Sequence, residues 1–203
     1  MSDGVDVILA SGSATRRRML ADAGLSFKIQ PARVDEGKLK DVLFRHTACV
    51  PAADVAEALA EAKAIEVSSR NSGAWVIGSD QVLAQGEIIF SKAATRDEAR
   101  STLQALRGKT HSLHSAAALV QHGIVVWQHV QTANLTMRMF SDAWLEQYLD
   151  AAGDALVQSV GAYQVEGLGI QLFESIDGDY FTILGMPLLA LLSELRRREV
   201  MAS

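Results

Sequence analysis

Residues 7–20 read VILASGSATRRRML, and the succession of residue types in that stretch sets the fold class. The mainly apolar run Val5–Ala10 suits a short strand buried on both faces. Ser11-Gly12-Ser13 follows as turn chemistry. Helical character begins near Thr15 and stops at Gly24, a residue suited to the left-handed conformation that ends helices. Arg16, Arg17 and Arg18 then fall in the first turns of a helix, where the macrodipole favours anions and opposes cations. An anionic ligand resolves that conflict by taking hydrogen bonds from free backbone N–H groups and serine hydroxyls while neutralising an arginine. Ser11, Ser13 and Arg16 form the candidate anion-binding set, and Arg17 and Arg18 read as a solvated basic face.

Strands and helices alternate outward from this unit. Ser26–Gln30 alternates like a second strand, and residues 31–50 read as a loop holding at most a short helix. Asp54–Ser68 is an Ala-rich helix with Asp54 as its N-cap. Trp75–Ile77 and Val82–Ala84 read as strands flanking Gly78-Ser79-Asp80, with Ile88–Phe90 returning after the turn Gln85-Gly86-Glu87. Thr95-Arg96-Asp97-Glu98 is a capping box opening a helix that Gly108 closes. Ser112–Val120 and Ile124–Met137 form a hairpin, Ser141 caps a helix through Leu149, and Ala162–Ile176 is strand-like around Gly167-Leu168-Gly169. Pro187 opens a last helix ending in Arg196-Arg197-Arg198. The expected class is α/β, a mixed twisted sheet flanked by helices, in one domain over residues 1–203.

Composition narrows the function. The 203 residues, 49% apolar and 21% charged, describe an ordinary globular chain. A net charge of −5 argues against a nucleic-acid polymer as partner, whereas a small anion needs only a local cation cluster. The single cysteine, Cys49, forms no internal disulfide, which fits a reducing compartment. It reads as a small apolar residue. The acidic start lacks a signal peptide's pattern, and no run approaches the ~20 apolar residues of a membrane span. A soluble, cytoplasmic chain is expected.

Asp80 closes an apolar run, and ligands bind at strand ends in α/β sheets. A carboxylate there can hold a divalent cation or take a proton from attacking water, though a turn aspartate accounts for it equally. Lys63, Lys92 and Glu36 are unremarkable singly. No GxxxxGK motif supports a P-loop, Gly167-Leu168-Gly169 lacks the third glycine of the dinucleotide fingerprint, and no GxSxG elbow is present. His111 and His114 lack companions at metal-ligand spacing, which argues against zinc.

Taken in order, LASGSATRR (Leu9–Arg17), VDE (Val34–Glu36), ALAEAKA (Ala58–Ala64), IGSDQV (Ile77–Val82), SK (Ser91-Lys92), LRGKTH (Leu106–His111), GAYQVEGLG (Gly161–Gly169) and LGMPL (Leu184–Leu188) resemble the Maf family. These are septum-formation-inhibitor-like nucleotide pyrophosphatases, and the resemblance spans Ile8–Leu195. It implies a two-lobed fold with a cleft, similar to inosine triphosphatase. It also implies hydrolysis of a nucleoside triphosphate between its α and β phosphates. By position, Ser11, Ser13 and Arg16 would bind phosphate, with Lys63 and Lys92 as further cations. Asp80 would be the general base and, with Glu36, would place Mg²⁺ or Mn²⁺.

A homodimer is also implied. Against the family's usual S-x-S-P-R-R, Ala14 and Thr15 replace Pro and Arg (or Trp), and Ser91-Lys92-Ala93 replaces G-K-P. Thr15, Gln81 and Glu166 stand where base choice is made. Gln81 and Glu166 match the branch acting on 7-methyl-GTP, and a Glu could accept hydrogen bonds from guanine N1–H and N2–H₂; Thr15 lacks that branch's Trp. The alternative within the resemblance is a non-catalytic nucleotide sensor associated with septum formation. A phosphatase releasing inorganic phosphate would need a nucleophilic Asp or His motif that is missing.

Overall fold

A computed structural model describes residues 6–45 and 50–202; Cys49 lies outside them. The chain opens with β1 (Val7–Leu9), α1 (Ala14–Asp22), β2 (Lys28–Ile29), α2 (Glu36–Arg45) and α3 (Ala52–Ser68). It continues through β3 (Trp75–Gln85), β4 (Ile88–Phe90), α4 (Arg96–Leu106), β5 (Thr110–Gln121), β6 (Ile124–Met137) and α5 (Asp142–Ala152). It ends in β7 (Phe173–Asp177), α6 (Tyr180–Ile183) and α7 (Leu188–Arg197). The seven strands make one mixed sheet in the order β2-β1-β3-β5-β6-β7, with β4 added to β3. Only β1 pairs in parallel, with β2 and β3; the remaining pairs are antiparallel.

Side chains alternate across β3 as strand geometry demands. Val76 and Val82 enter a core beneath α3 with Val55, Leu59, Ala60, Ala64 and Val67. Ile77 faces the other way and packs with Met19 and Leu20 of α1 and Leu191 and Leu195 of α7. Farther along, Leu83 joins Leu113 and Leu135 in a third core with Leu103 of α4 and Leu145 of α5. The cleft is lined from both ends of this arrangement, by the α1–α3 region and by the strands and loop around the third core.

Four segments depart from expectation. The Ala-rich helix α3 begins at Ala52 with Pro51 at its N-cap, so Asp54 lies inside the first turn rather than capping it. Gly78-Ser79-Asp80 does not separate two strands; β3 runs unbroken through it, with Gly78 opposite Ala118 and Asp80 opposite Ala116. Gly78 is small because α3 lies directly on it: a Cβ there would stand 2.1 Å from the Ala60 carbonyl oxygen. Within residues 31–50, read as a loop with a short helix at most, residues 36–45 form the three-turn helix α2. In Ala162–Ile176 only Phe173–Asp177 is a strand. Ala162 has a φ of +57°, and Leu168–Leu172 winds as a 3₁₀ turn, so the extended conformation is broken before Phe173.

One topological detail positions the site. On the edge of β3 away from β5, β1 pairs with Trp75–Ile77 and β4 only with Leu83–Gln85. Between them the edge of β3 carries no strand, and the turn after β1 faces that gap. Asp80 is therefore mid-strand, which corrects its expected place at a strand end. The strand end that faces the cleft belongs to β1.

Candidate active site

A cleft of about 910 Å³ crosses the free edge of β3 and is lined by Ser11, Ser13, Thr15, Arg16, Glu36, Lys63, Asp80, Gln81, Lys92 and Glu166. Side chains of consecutive strand residues oppose one another, so Asp80 faces α3 and Gln81 faces α6. The cleft draws on both faces.

The turn after β1 is built by its serines. Ser13 caps α1, its hydroxyl accepting from the Arg16 amide at 3.3 Å, while the Ser11 hydroxyl accepts from the Ser13 amide at 3.3 Å. The amides of Ala14 and Thr15 have no helical partner at this end, and among the described residues no backbone carbonyl takes them. They are free donors at a helix N-terminus.

Arg16 resolves its conflict with the dipole by a route the sequence did not reveal. Its Nε donates to the Gly185 carbonyl at 2.9 Å and its Nη1 to the Ser79 carbonyl at 2.9 Å. Nη1 also reaches Ser11 Oγ at 3.3 Å. Burial draws its pKa below the ordinary arginine value, with Asp80 and Glu36 acting in the opposite sense. Gly185 has a φ of +107°, a conformation that favours glycine; the space beside the guanidinium would itself admit a Cβ, 3.5 Å from Nε and Nη2. Arg17 and Arg18 are exposed, as expected.

Opposite, α3 and α2 complete a charged cluster. Lys63 Nζ donates to Asp80 Oδ1 at 2.7 Å and to Glu36 Oε1 at 2.7 Å. The Lys63 and Asp80 side chains are each only 12% exposed, so each charge is stabilised by its partner there. Partial burial works against the Glu36 carboxylate. The Lys63 hydrogen bond and charge, with Lys40 and Lys92 nearby, nevertheless hold it below the usual carboxylate range.

Lys40, one helical turn after Glu36, also lines the cleft. Its signal was the four-residue spacing from Glu36, which has meaning only on a helix; with residues 31–50 read as a loop it went unseen. Lys92 is exposed at the mouth, and Glu166 is exposed on the loop that follows Tyr163.

Gln81 is fixed from three sides. Its Nε2 lies 3.0 Å from Ser115 Oγ, from the Thr182 carbonyl and from the Ile183 carbonyl. The Ser115 hydroxyl spends its own proton on the Thr182 carbonyl at 2.7 Å, so it can only accept from Gln81. The amide orientation follows, leaving Oε1 as the uncommitted polar atom.

The loop bearing Glu166 rests on a buried pair. His111 Nε2 is 2.7 Å from Tyr163 Oη, and burial pushes the imidazole down to about 4, so it is neutral at pH 7. Tyr148 Oη donates to the Ala162 carbonyl at 3.1 Å, and the Ser159 hydroxyl donates to the Tyr163 carbonyl at 2.5 Å.

In this mixed α/β fold one cleft joins a capped helix N-terminus with free amides to a lysine-bridged acid pair. The chain belongs to the Maf family: the Maf-like protein family matches residues 6–198. A nucleoside triphosphate pyrophosphatase of Paramagnetospirillum magneticum is 53% identical over 189 residues, covering 93% of this chain and 96% of that one. A 7-methyl-GTP pyrophosphatase of Mesorhizobium japonicum is 53% identical over 190 residues, 94% of each. Among solved structures, a nucleoside-triphosphatase / dITP/XTP pyrophosphatase of Mycobacterium abscessus aligns over 97% of this chain and 96% of that one. Its 16% identity and TM-score of 0.41 are too low to bear on the site.

Proposed function

We propose that this chain hydrolyses the α–β phosphate bond of a nucleoside triphosphate, releasing the nucleoside monophosphate and pyrophosphate. The observation that carries the proposal is the meeting, in one cleft, of the Ser11–Arg16 anion turn with Asp80, Glu36 and the cations Lys40, Lys63 and Lys92. The names of relatives about half identical along nearly the whole chain support it.

Phosphoryl substitution asks chiefly for positioning and charge neutralisation. The free amides of Ala14 and Thr15, with Ser11, Ser13 and Arg16, anchor phosphate oxygens, and the lysines neutralise the remainder. Asp80 takes the proton of the water that adds to the α-phosphorus as pyrophosphate leaves. Two carboxylates within hydrogen-bond reach of one nitrogen also offer the oxygen donors that a hard divalent cation such as Mg²⁺ or Mn²⁺ prefers. Glu36 and Asp80 would hold it, and it would supply charge neutralisation at the bridging phosphates.

For the base, we favour a guanine-type purine, 7-methyl-GTP included. Gln81 Oε1 and the Glu166 carboxylate are both acceptors on the cleft wall and suit the N1–H and N2–H₂ edge. Thr15 provides no stacking face. A homodimer accompanies the proposal on the strength of the family resemblance, and a cytoplasmic location on that of the single cysteine, which fits a reducing compartment. Among the described residues, no helix is long and apolar enough to cross a membrane.

The test is a panel of 7-methyl-GTP, GTP, UTP, dTTP and CTP with Mg²⁺ or Mn²⁺, assayed for pyrophosphate. Turnover, fastest on the guanine nucleotides, is expected. Tight binding with no pyrophosphate released would instead favour a nucleotide sensor.

A further inference from the structure

Lys63 was expected to serve phosphate, yet its ammonium donates to both acidic side chains of the cleft, at 2.7 Å each. It thus occupies the space between the two carboxylates that would hold a divalent cation. A cation held by both carboxylates and an ammonium in contact with both compete, because two positive charges confined within a few ångströms repel strongly. Lys63 sits on α3, whose backbone is clamped against β3 at Gly78, so the exchange can involve only its side chain. Four methylene groups give that side chain the reach to turn from Asp80 and Glu36 to the phosphate side of the cleft.

We infer that Lys63 is an internal counter-cation: it neutralises Asp80 and Glu36 until a divalent cation displaces it, and displacement delivers its ammonium to the substrate polyphosphate. This rests on the proposed nucleotide chemistry for the destination of Lys63, but not for its competition with the metal. The consequence for the site is ordered loading. Without the cation, Lys63 is committed to the acids and the phosphate subsite is short of one positive charge. With it, the subsite gains two cations together.

The competition is read without turnover. Mn²⁺ binding to the nucleotide-free protein is measured by calorimetry for the parent and for Lys63→Gln and Lys63→Met. Both variants are expected to bind Mn²⁺ about tenfold tighter, the order expected when a cation no longer has to break a charge-assisted hydrogen bond. In parallel, parent protein labelled with [ε-¹³C]lysine is titrated with Mg²⁺. The Lys63 signal, assigned by its loss in Lys63→Arg, is expected to move, which separates displacement from a mere change of net charge and needs no destabilised variant. Unchanged or weaker Mn²⁺ binding in the folded variants overturns the inference. So does a Lys63 signal that stays fixed while Mg²⁺ binds, or a parent that binds neither ion. A protein that passes both arms but releases no pyrophosphate in the nucleotide panel would refute the proposed function and leave the competition standing.

Discussion

Replacing Gly78 by Ala tests whether α3 is pressed against β3 as closely as the geometry demands. The added Cβ would lie 2.1 Å from the Ala60 oxygen, 2.8 Å from Ala64 Cβ and 2.9 Å from the Ala64 amide nitrogen. Two of these atoms are helix backbone, so no side-chain rotation relieves the overlap, and α3 must retreat by roughly 1 Å to restore ordinary contact. Overpacking of a core costs ~1–3 kcal/mol. The upper end applies here, because the retreat also loosens Leu59, Ala60 and Val67, all fully buried.

At ~2–4 °C per kcal/mol for a domain of this size, Tm should fall by roughly 6–12 °C. Lys63 moves with the helix and its 2.7 Å bond to Asp80 lengthens, so kcat/KM should fall as well, by up to ~100-fold for a 1 Å misplacement. Calorimetry and urea unfolding would read the stability, with Gly12→Ala as the control, since its nearest neighbour is 3.8 Å away. A Gly78→Ala protein melting within ~2 °C of the parent would refute the close packing from which the position of Lys63 is derived.

Further outcomes follow from the same geometry. Asp80→Asn should lower kcat by ~100-fold or more while nucleotide affinity, by calorimetry, changes little; parental kcat would remove Asp80 as the base. Arg16→Lys keeps a charge but loses the fork that serves Gly185 and Ser79 together. It should raise KM for the nucleotide and destabilise by ~1–3 kcal/mol in urea unfolding. His111 has a folded pKa of about 4 against an ordinary 6.5. Between those values the unfolded chain takes up a proton that the folded one refuses. Its contribution to stability is therefore complete above pH 6.5 and is lost as pH falls towards 4, by ~3 kcal/mol in all. Urea midpoints measured across that range should flatten in His111→Gln; an unchanged slope would show that another group sets it.

The architecture was legible wherever local chemistry coincided with tertiary need. Thr95 and Ser141 cap their helices as their types suggest, and the hairpin through Gln121-His122-Gly123 joins β5 to β6. Legibility failed where a small residue answered to a distant neighbour. Gly78 looked like a turn because the cause of its smallness, α3, is remote in sequence, and Asp80 was misplaced with it. The same limit hid the partners of Arg16 and Gln81, which are backbone carbonyls, and no residue type advertises those. Lys40 escaped because the apolar residues that seat α2, Leu39 and Leu43, pack on the core beneath α3, a contact remote in sequence. Each side chain expected in the site does line the cleft, but the bond from Lys63 to both acids is a fact of three dimensions.

The hydrogen bond from Arg16 to Gly185 spans 169 positions of the chain. During synthesis, at about 5–20 residues per second, the turn proposed to anchor phosphate emerges roughly 10–30 s before the carbonyl that accepts from its arginine. A nascent chain can therefore form β1 and α1 early yet hold no nucleotide competently until its last helix begins to leave the ribosome. Loss of the segment before α7, by truncation or proteolysis, would silence the cleft from the opposite end of the polypeptide while every residue expected to touch the nucleotide remained in place.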